Sequence, residues 1–600
     1  MQKENTSLSS NSLEVLKRRY LLKDNKQNVI ETPEELFRRV VRHVSFAERN
    51  FKTSCCRDKI EEDFYNAMKS LEFLPNSPTL MNAGTPLGQL SACFVIPVAD
   101  SIDGIFESLK SMAKIHQTGG GTGFSFSRLR PKGDLVSTTK GAASGPVSFM
   151  SIFDAATGVI VQGGRRRGAN MGVLRCDHPD IVEFIEAKTQ KEAFSNFNLS
   201  VGITDSFMKA VKLNKEFSLI NPRTNKIVRK VNARATFNLI ASAAWKTGDP
   251  GIIFLDNINR ANPTPAVGRI EATNPCGELP LLPYESCNLG SINLSRMISA
   301  KRIDYERLAS RVRLGIRFLD NVIEVNKYPL PEIKKVTFAN RKIGLGVMGF
   351  ADMLVRLGIP YDSDDAVSLA GKLMRFIKIK SIEASVELAK ERGVFPNYAR
   401  SIYSRKGIRL RNATVNTIAP TGSISIIAGC SSGIEPLFAI SFTRNVLSGL
   451  KLFEVNSIFE ETAKARGFYN PKLLARIARL GSLRGIKAIP ADVRKLFVTA
   501  FDVEPEQHLK IQAAFQQHTD NSVSKTINLP PEATIEDVRK IFMEAYLLKL
   551  KGITVYRYGS RKDQVISFGY GQIRNAPAGG EGVVAESEYS GGCATGTCPF

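Results

Sequence analysis

Apolar residues near the start of this chain recur at helical spacing. In the first 75 residues, the side chains of Leu36, Val40 and Val44 fall on one stripe of a helix. Thr32, which precedes a proline and two glutamates, predicts the cap at which that helix begins. The pattern therefore predicts a mostly helical entry over residues 1–75.

Farther along, longer helical patterns alternate with short strand-like runs. The apolar spacing from Leu308 to Ile323 predicts a long helix, and residues 370–391 predict another that stops at Gly393. Asp100 is the expected cap of an amphipathic helix that follows it. Strand-like runs cover residues 90–98, 412–419, 520–530 and 551–561.

The last stretch has a different composition. From about residue 562 it is rich in Gly, Ala, Ser and Glu, which predicts a flexible tail, and it ends with Cys593 and Cys598. A dithiol on a tether is typical of a redox shuttle that reaches a buried site and then an external reductant. Two cysteines alone would bind a metal weakly, so the shuttle is the favoured interpretation.

Overall composition narrows the class of protein. A hydrophobic fraction of 43% and a charged fraction of 23% are those of a soluble globular protein. The chain contains no run of 18 apolar residues and begins without the apolar core of a signal peptide. A cytoplasmic protein without membrane contact is expected.

The net charge of +24, from 82 Lys and Arg against 58 Asp and Glu, favours anionic partners. The charge is spread along the chain, and aromatic residues do not alternate with the basic ones as in a single-strand-binding surface. Nucleic acid is therefore not expected as the main partner. Anionic nucleotides, or simply a basic surface, account for the charge equally well.

The cysteines do not form a disulfide framework. They are an odd, scattered set without a Cys-x-x-Cys pair, and the five histidines stand apart from them, so no structural zinc or other metal site is predicted. Individual redox or catalytic roles are favoured for some, and buried packing for Cys55, Cys56, Cys176 and Cys430. The nine are Cys55, Cys56, Cys93, Cys176, Cys276, Cys287, Cys430, Cys593 and Cys598.

One stretch combines three kinds of reactive side chain. Asn274, Cys276 and Glu278 stand at alternate positions, so in an extended segment their side chains would share one face. An amide, a thiol and an acid/base would then reach one small substrate. Another thiol, Cys287, follows eleven residues later. A structural cysteine in a turn is the alternative, but an apolar cysteine pocket has no use for the flanking Asn and Glu.

Residues 274–278, followed by the segment Ser-Cys-Asn-Leu-Gly-Ser-Ile-Asn-Leu at 286–294, resemble the finger loop of ribonucleotide reductases. The resemblance implies an α/β fold: a ten-stranded α/β barrel of two five-stranded parallel halves, antiparallel to each other, with the loop through its middle. It also implies a helical region at 1–75 without an ATP cone, a catalytic barrel at 76–561 and a flexible redox tail at 562–600.

The family's chemistry then assigns roles by position. Cys276 would become a transient thiyl radical that takes the 3′-hydrogen, Glu278 would deprotonate the 3′-hydroxyl, and Asn274 would hold the ribose hydroxyls. Cys93 and Cys287 would supply the proton and two electrons and close to a disulfide.

The tail thiols complete the resemblance to the family's redox cycle. Cys593 and Cys598 would reduce the disulfide by exchange and be reset by a thioredoxin- or glutaredoxin-like reductant.

Other positions match the family's substrate contacts. Glycines at 119–121 permit close approach of a ligand, and residues 420–424 lead from a strand-like run into a helix start suited to phosphate. A tight loop without ligand and an ordinary capped helix are the respective alternatives. The implied substrate-binding set is Ser77, Ala92, Cys93, Gly121, Asn274, Pro275, Cys276, Gly277, Glu278, Pro420, Thr421, Gly422, Ser423 and Ile424.

Two further groups resemble regulatory positions. The deoxynucleoside triphosphate effector site matches Asp100, Ser101, Ile102 and Arg130. The specificity loop, which relays effector identity to the substrate base, matches Gln162, Arg165, Arg166 and Arg167. A plain solvated turn is the alternative for this arginine-rich loop.

The source of the radical separates the classes of the family. Tyr556 and Tyr558 are not adjacent, unlike the tyrosine pair that relays a radical from a separate subunit. The sequence here resembles the adenosylcobalamin-dependent class II enzymes, and His178 is not in a cobalt-binding motif. Ribonucleoside diphosphate substrates and a homodimer are implied. The alternatives are a class I large subunit that needs a metal-radical subunit, and a non-catalytic nucleotide-binding protein, against which the intact thiols argue.

Overall fold

The computed structural model describes residues 8–51, 57–135, 141–162, 166–189, 193–446, 450–560, 566–567 and 584–586. Among them, no helix is both long and apolar enough to cross a membrane. The helices are α1 (Ser10–Arg19), α2 (Pro33–Ser45), α3 (Arg57–Lys69), α4 (Ser77–Asn82), α5 (Ile102–Gln117), α6 (Pro146–Val159), α7 (Ile181–Glu186), α8 (Asp205–Leu213), α9 (Ala233–Thr247), α10 (Leu255–Arg260), α11 (Tyr305–Val325), α12 (Pro331–Asn340), α13 (Phe350–Leu357), α14 (Asp364–Arg392), α15 (Ile402–Arg405), α16 (Gly422–Ala428), α17 (Ser457–Ala465), α18 (Pro471–Leu480), α19 (Ala491–Leu496), α20 (Pro505–Gln516) and α21 (Ile535–Leu547).

Short 3-10 helices cover Phe46–Asn50, Leu294–Arg296 and Pro396–Arg400. The strands are β1 (Phe73–Pro75), β2 (Cys93–Val95), β3 (Gly121–Ser125), β4 (Val161–Gln162), β5 (Arg166–Arg167), β6 (Asn170–Arg175), β7 (Phe197–Ile203), β8 (Glu216–Ile220), β9 (Ile227–Asn232), β10 (Gly251–Phe254), β11 (Ala272–Thr273), β12 (Pro280–Leu281), β13 (Ser286–Asn293), β14 (Ile298–Ser299), β15 (Arg302–Ile303), β16 (Ile343–Met348), β17 (Ser441–Val446), β18 (Leu450–Val455), β19 (Thr526–Leu529), β20 (Gly552–Arg557), β21 (Ile566–Ser567) and β22 (Val584–Glu586).

The helical entry forms as predicted. Thr32 caps α2 in a capping box: its side chain accepts a hydrogen bond from the Glu35 N–H, and the Glu35 carboxylate accepts one from the Thr32 N–H. The predicted stripe, including Leu36 and Val40, is fully buried in a core shared with α11. Burial of that stripe holds the N-terminal helices against the rest of the protein.

Two helix starts differ from the prediction. The cap of α5 is Ser101, whose hydroxyl accepts from the Gly104 N–H at 3.1 Å, so the assignment of the cap to Asp100 was wrong. The Asp100 carboxylate is instead engaged by the Arg130 guanidinium. Helix α14 reaches Gly393 as predicted but begins earlier, because Ser363 caps it.

The protein is α/β, with N-terminal helices and a mixed sheet of ten strands. Strands β2, β3, β6, β7 and β10 run parallel in that order. At one end β10 pairs antiparallel with β20, which is parallel to β19. At the other end β2 pairs antiparallel with β13, which is parallel to β16 and also carries β1.

Residues 412–419 differ from the strand that their pattern predicts. They make only two isolated parallel pairings, Asn416 with Leu345 and Ile418 with Val523, which link the β16 side of the sheet to the β19 side. The strand-like run at 90–98 shortens similarly to the three residues of β2.

The two faces of the sheet differ in what they pack against. Ile343, Leu345 and Val347 of β16 belong to the large core that includes α11 and α14. Cys287 and Leu289 of β13 belong to a smaller core, together with residues of β2, β6 and β10. This smaller core surrounds the hairpin of β11 and β12, which carries the Asn-Pro-Cys-Gly-Glu segment.

Candidate active site

The Asn-Pro-Cys-Gly-Glu segment forms a tight turn, so the extended arrangement considered for it was wrong. The Gly277 N–H donates to the Asn274 carbonyl at 3.1 Å, and Gly277 takes a φ of +79°, which costs glycine no Cβ clash. The Asn274 N–H then bonds the Leu279 carbonyl at 3.1 Å across the hairpin. Asn274 and Glu278 still meet, because the turn folds one onto the other.

The Asn274 side chain connects the other reactive groups. Its Nδ2 donates to Glu278 Oε2 at 2.7 Å and lies 3.0 Å from Cys93 Sγ, while its Oδ1 accepts from the Leu279 N–H at 2.9 Å. The Cys93 thiol also contacts Glu278 Oε1 at 4.0 Å. Asn274, Glu278 and Cys93 are buried. One neutral amide therefore orients a carboxylate and a thiol against each other.

The turn is held from both sides of the sheet. The Glu278 carbonyl accepts hydrogen bonds from Thr417 Oγ1 and from the Ser522 N–H, each at 2.8 Å. On the opposite side, Asn198 Nδ2 of β7 donates to the Pro275 carbonyl at 2.9 Å. These bonds fix the position of the Cys276 backbone between the two groups of parallel strands.

Cys93 and Cys287 face each other. They are a directly paired register position of the antiparallel strands β2 and β13. Such pairs bring Cα atoms to about 4.5–5.5 Å, within the range that a disulfide spans. Burial raises the pKa of the Cys287 thiol well above its ordinary value. The structure brings together two thiols that lie far apart in sequence.

An open cavity of about 590 Å³ adjoins these groups. Most of the sequence-predicted substrate-binding residues line it, whereas Gly121, Pro275 and Gly277 do not. Its lining is Asn76, Ser77, Pro78, Ala92, Cys93, Asn274, Cys276, Glu278, Leu289, Gly290, Ser291, Ala419, Pro420, Thr421, Gly422, Ser423 and Ile424.

Helix α16 forms one end of this cavity. Thr421 precedes it with a φ of +59°, and its hydroxyl accepts from the Gly433 N–H at 2.7 Å. The first N–H groups of a helix lack partners inside the helix and attract anions. The N-terminal helices support this end, since the Ser12 hydroxyl donates to the Ile426 carbonyl at 2.9 Å.

Asn76 is a lining residue that the sequence reasoning did not include. Its Oδ1 caps α4 by accepting from the Thr79 N–H at 3.0 Å. Its buried Nδ2 has no hydrogen-bond partner within the described part of the chain. A buried donor left unpaired is costly, so this amide is suited to a ligand oxygen. An Asn before Ser-Pro is typical of an ordinary helix cap, so the local pattern does not indicate this second role.

A second cavity of about 610 Å³ lies on the other side of the turn. Cys276 is the one residue that lines both cavities. Gly251 keeps one wall flat, because a Cβ there would lie 3.0 Å from the Ile553 carbonyl oxygen. The lining is Met171, Asn198, Leu199, Ser200, Asp249, Gly251, Ile252, Ile253, Pro275, Cys276, Gly277, Val523, Ser524, Lys525, Thr526, Gly552, Ile553 and Thr554.

The lining of this second cavity includes no histidine. Across the described residues, no group of three or more His, Cys, Asp or Glu side chains is placed to hold a metal ion. The cavity lining therefore combines hydroxyls, glycine backbone and apolar side chains with the charged residues Asp249 and Lys525.

The predicted regulatory residues lie in two groups next to α5, one of them at its start. Arg130 donates from Nε to both Asp100 carboxylate oxygens, at 3.1 and 3.0 Å, and Ile102 is 61% exposed. Gln162 and Arg166 are paired in the short hairpin of β4 and β5, which lies against α5. Arg167 belongs to the same hairpin, and Arg165 lies outside the described residues.

Of the six remaining cysteines, two lie within the described residues and four lie outside them. Cys176 is buried, and burial raises the pKa of its thiol to about 12, in keeping with a packing role. Cys430 is half-buried against the large core. Cys55, Cys56 and the predicted shuttle thiols Cys593 and Cys598 lie outside the described residues.

Family profiles and similar proteins indicate the same family over most of this chain. The family profile described as the ribonucleotide reductase barrel domain matches residues 91–556, and that of the all-alpha domain matches residues 6–88. A vitamin B12-dependent ribonucleoside-diphosphate reductase of Mycobacterium tuberculosis is 51% identical over 100% of this chain and 83% of that protein. One of Thermoplasma acidophilum is 50% identical over 95% of this chain and 82% of that protein.

Among solved structures, the class Id ribonucleotide reductase alpha subunit of Actinobacillus ureae superposes with a TM-score of 0.76 at 25% identity. The match covers 93% of this chain and 99% of that one.

Proposed function

The chain belongs to the ribonucleotide reductase family, among the vitamin B12-dependent ribonucleoside-diphosphate reductases, and from that premise we propose that it converts ribonucleoside diphosphates to 2′-deoxyribonucleoside diphosphates for DNA synthesis. The observation that carries the proposal is the position of Cys276, the one residue that lines both cavities. Its sulfur can be oxidised from one side and can take a hydrogen atom from a substrate on the other.

In the first cavity, the Cys276 thiyl radical takes the 3′-hydrogen of the ribose, and Glu278 accepts the proton of the 3′-hydroxyl. Asn274 holds the carboxylate of Glu278 in place and bonds the ribose hydroxyls. The 2′-hydroxyl then leaves as water, and the Cys93 and Cys287 thiols supply two protons and two electrons, one proton to that water and one hydrogen to C2′, as they close to a disulfide. Glu278 returns its proton to the 3′-oxygen, and Cys276 returns the hydrogen atom to C3′ and is a thiyl radical again. The register pairing of these two cysteines supports that role.

Bound adenosylcobalamin supplies the one-electron oxidant that a reaction at an unactivated carbon requires. The second cavity fits the adenosyl part of that cofactor. The flat wall at Gly251 accommodates a planar base, and the hydroxyls of Ser200 and Thr554 can bind ribose oxygens. Without a histidine in this lining, the protein residues there are placed to bind and orient the organic part of the cofactor rather than its cobalt.

The substrate diphosphate is assigned to the start of α16, where Thr421, Gly422, Ser423 and Ile424 line the cavity. Ser77, Ala92 and Pro420 line the same space, and Gly121, Pro275 and Gly277 would act by shaping the backbone around it.

We assign allosteric regulation to the start of α5 and to the β4–β5 hairpin that lies against this helix. Asp100, Ser101, Ile102 and Arg130 form the proposed effector site for deoxynucleoside triphosphates. The β4–β5 hairpin, with Gln162, Arg166 and Arg167, is the proposed relay to the substrate base. Apolar residues exposed on α5 and α6, which pack side by side, support a homodimer through these helices: Ile102, Phe106, Ile152 and Val159.

The strand pairings support a closed ten-stranded barrel. One half is β2, β3, β6, β7 and β10; the other is β13, β16, residues 412–419, β19 and β20, joined through the pairings of Asn416 and Ile418. The proposed domain boundaries are at residues 75 and 561. Cys593 and Cys598 in the tail would carry electrons from a thioredoxin- or glutaredoxin-like reductant to the Cys93–Cys287 disulfide. Thiols that must stay reducible suit the cytoplasm.

The test is anaerobic turnover of CDP by the purified full chain with dithiothreitol and dATP, with and without adenosylcobalamin. The expected result is dCDP formation that requires the cofactor and is lost in Cys276→Ser. Cys430→Ser is the matched control, since Cys430 lies outside both cavities, and it should retain turnover.

Two outcomes would overturn the proposal in different ways. Product only after addition of a diiron or dimanganese subunit would make the chain a class I large subunit. Tight nucleotide binding without turnover under either condition would make it a non-catalytic nucleotide-binding protein.

A further inference from the structure

A buried lysine lies next to the paired cysteines. The parallel register of β13 and β16 matches Asn288 with Ile343. Cys287 and Lys342 each come one residue before that pair, with Lys342 just ahead of β16, and Cys93 pairs with Cys287 on its other side. Paired residues project to the same face of a sheet, so Cys93 and Cys287 share one face, and Lys342 is close enough to act electrostatically on the Cys287 thiol.

The charged groups around Cys287 are few. Lys342 is 2% exposed, and its Nζ donates to Glu285 Oε2 at 2.6 Å. Glu285, two residues before Cys287, also accepts from Asn340 Nδ2 at 2.5 Å. Burial raises the pKa of the Cys287 thiol; Lys342 opposes this shift, and Glu285 and Glu278 add to it. Of the described charged groups that shift this pKa, Lys342 is the one cation.

The two thiols also differ in access. Cys93 lines the first cavity, whereas Cys287 does not. An incoming thiolate must approach a disulfide along its S–S axis and expel the far sulfur as a thiolate. From the cavity, Cys93 is the sulfur within reach, and Cys287 is the sulfur that would have to leave, in a buried position where an unpaired negative charge is costly.

We propose that Lys342 makes Cys287 the leaving thiolate when the Cys93–Cys287 disulfide is reduced, so that the incoming thiolate attacks Cys93. The proposal rests on the redox role of this pair in the proposed function. The ammonium beside Cys287 offsets the charge that develops on the departing sulfur and provides its proton. Glu285 positions the ammonium.

Reduction of the Cys93–Cys287 disulfide consumes two thiolates of the reductant. The incoming thiolate forms a bond to Cys93 Sγ, the Cys93–Cys287 bond breaks, and Cys287 keeps the bonding pair. A proton passes from Lys342 to the Cys287 thiolate, and Lys342 regains one from solvent. A second thiolate from the reductant then attacks the reductant sulfur of the mixed disulfide and releases Cys93, which takes a proton. The reductant is oxidised to its disulfide.

The test begins with the full-length holoenzyme oxidised by a single turnover of CDP without reductant. The monothiol 2-mercaptoethanol is then added, the reaction is quenched with an alkylating agent, and peptide mass spectrometry locates the adduct. We expect the mixed disulfide on Cys93 and the alkyl group on Cys287. In Lys342→Met, the rate of disulfide opening should fall by about tenfold or more, with the adduct still on Cys93, the sulfur that the cavity exposes.

Two variants separate this role from a structural one. Lys342→Met leaves Glu285 buried without its cation, so Glu285→Gln/Lys342→Met removes both charges and should show the same slow opening in a folded protein. Lys335→Met is the control: Lys335 is an exposed lysine of α12, and its loss should leave both the rate of opening and the adduct on Cys93 unchanged.

The outcomes distinguish this inference from the function on which it rests. A mixed disulfide on Cys287 in the unaltered enzyme, or an unchanged rate of opening in both Lys342 variants, would overturn the inference alone. Absence of any Cys93–Cys287 disulfide after turnover would overturn the proposed redox pair, and the inference with it.

Discussion

At the scale of single residues, the candidate site depends on the neutrality of one amide. Asn274 donates to the Glu278 carboxylate and to the Cys93 sulfur while its oxygen is bonded to the hairpin backbone. A charge at this position would act directly on Glu278, since the two side chains are 2.7 Å apart. The neutral amide therefore orients the proposed base without placing a second charge beside it.

Asn274→Asp tests this dependence. The new carboxylate would face Glu278, and like charges raise the pKa of such a pair, so the base form of Glu278 would appear only at higher pH. We expect turnover at neutral pH to fall by about a hundredfold, with partial recovery as the pH rises. The pH dependence of kcat/KM for CDP is the measurement. Asn225→Asp, in an exposed turn, is the control, and an unchanged profile in Asn274→Asp would contradict the expectation.

At the scale of secondary-structure elements, the β11–β12 hairpin touches β3 at a glycine. A Cβ on Gly123 would lie 1.7 Å from the Thr273 carbonyl oxygen, which no rotation of a side chain can relieve. The backbone of the hairpin would have to move, and Asn274 and Cys276 would move with it. Close approach at this one glycine thus positions the reactive groups.

Gly123→Ala should therefore lower turnover by about a hundredfold, because a displacement of the order of 1 Å at a reacting group has that effect. Steady-state kinetics with CDP measures it, together with the unfolding temperature. Gly371→Ala is the control: Gly371 lies in α14 with nothing within 4 Å of a new Cβ, so that variant should keep its activity and gain about 1 kcal/mol in stability. Normal turnover in Gly123→Ala would show that the hairpin adapts.

The secondary-structure elements differ in how well the sequence predicts them. Caps and apolar spacing predict α2 and α11 because their signals are local. Residues 412–419 have a strand-like pattern and bond their neighbours through the backbone, as where the Leu345 N–H donates to the Val415 carbonyl at 2.8 Å. The Val415 N–H donates to the Asp520 side chain instead of a backbone carbonyl, and the segment forms isolated pairings rather than a regular strand. The turn at Gly277 was likewise hidden, since period-two spacing describes an extended chain and carries no information on φ.

The site itself was predictable only in part. The motif around Cys276 pointed to its neighbours in sequence, and the resemblance supplied Cys93 and the 420–424 segment, which the structure brings to the same cavity. Lys342 gave no signal, because a lysine before an apolar strand is unremarkable until the register sets it beside Cys287.

At the scale of the whole molecule, a buried cluster of charges ties the N-terminal helices to the rest of the protein. Asp320 of α11 is fully buried, and Glu48 of the N-terminal region is nearly so. Arginines from distant segments join them: Arg317 and Arg392 bond Glu48, and Arg341, Arg392 and Arg411 contact Asp320. The opposing charges satisfy each other without solvent, so each carboxylate is indispensable to the cluster.

Asp320→Asn should lower the free energy of unfolding by about 3–5 kcal/mol, because it removes the fully buried carboxylate that three arginines share and leaves Glu48 and Glu324 to balance them. Burial alone would raise the pKa of the Asp320 carboxyl, but the arginines outweigh burial and hold that pKa well below its ordinary value. Its stabilising effect is therefore full above the unfolded pKa of about 3.9 and is lost as the pH falls below that value. Urea unfolding across this pH range measures both effects.

The exposed carboxylate of Asp364 provides the control, and Asp364→Asn should change the free energy of unfolding by less than about 1 kcal/mol. Equal losses in the two variants would show that the buried cluster contributes no more than a surface pair.

The same cluster has a consequence for how the protein is made. Glu48 is separated from Arg392 by 344 residues, so it leaves the ribosome long before its partner exists. At about 5–20 residues per second, the delay is roughly 20–70 seconds. During that interval the Glu48 carboxylate has no Arg392 to pair with, and the rest of the protein does not yet cover the apolar face of the first helices. The N-terminal helices can therefore complete their packing only after the end of α14 has been synthesised.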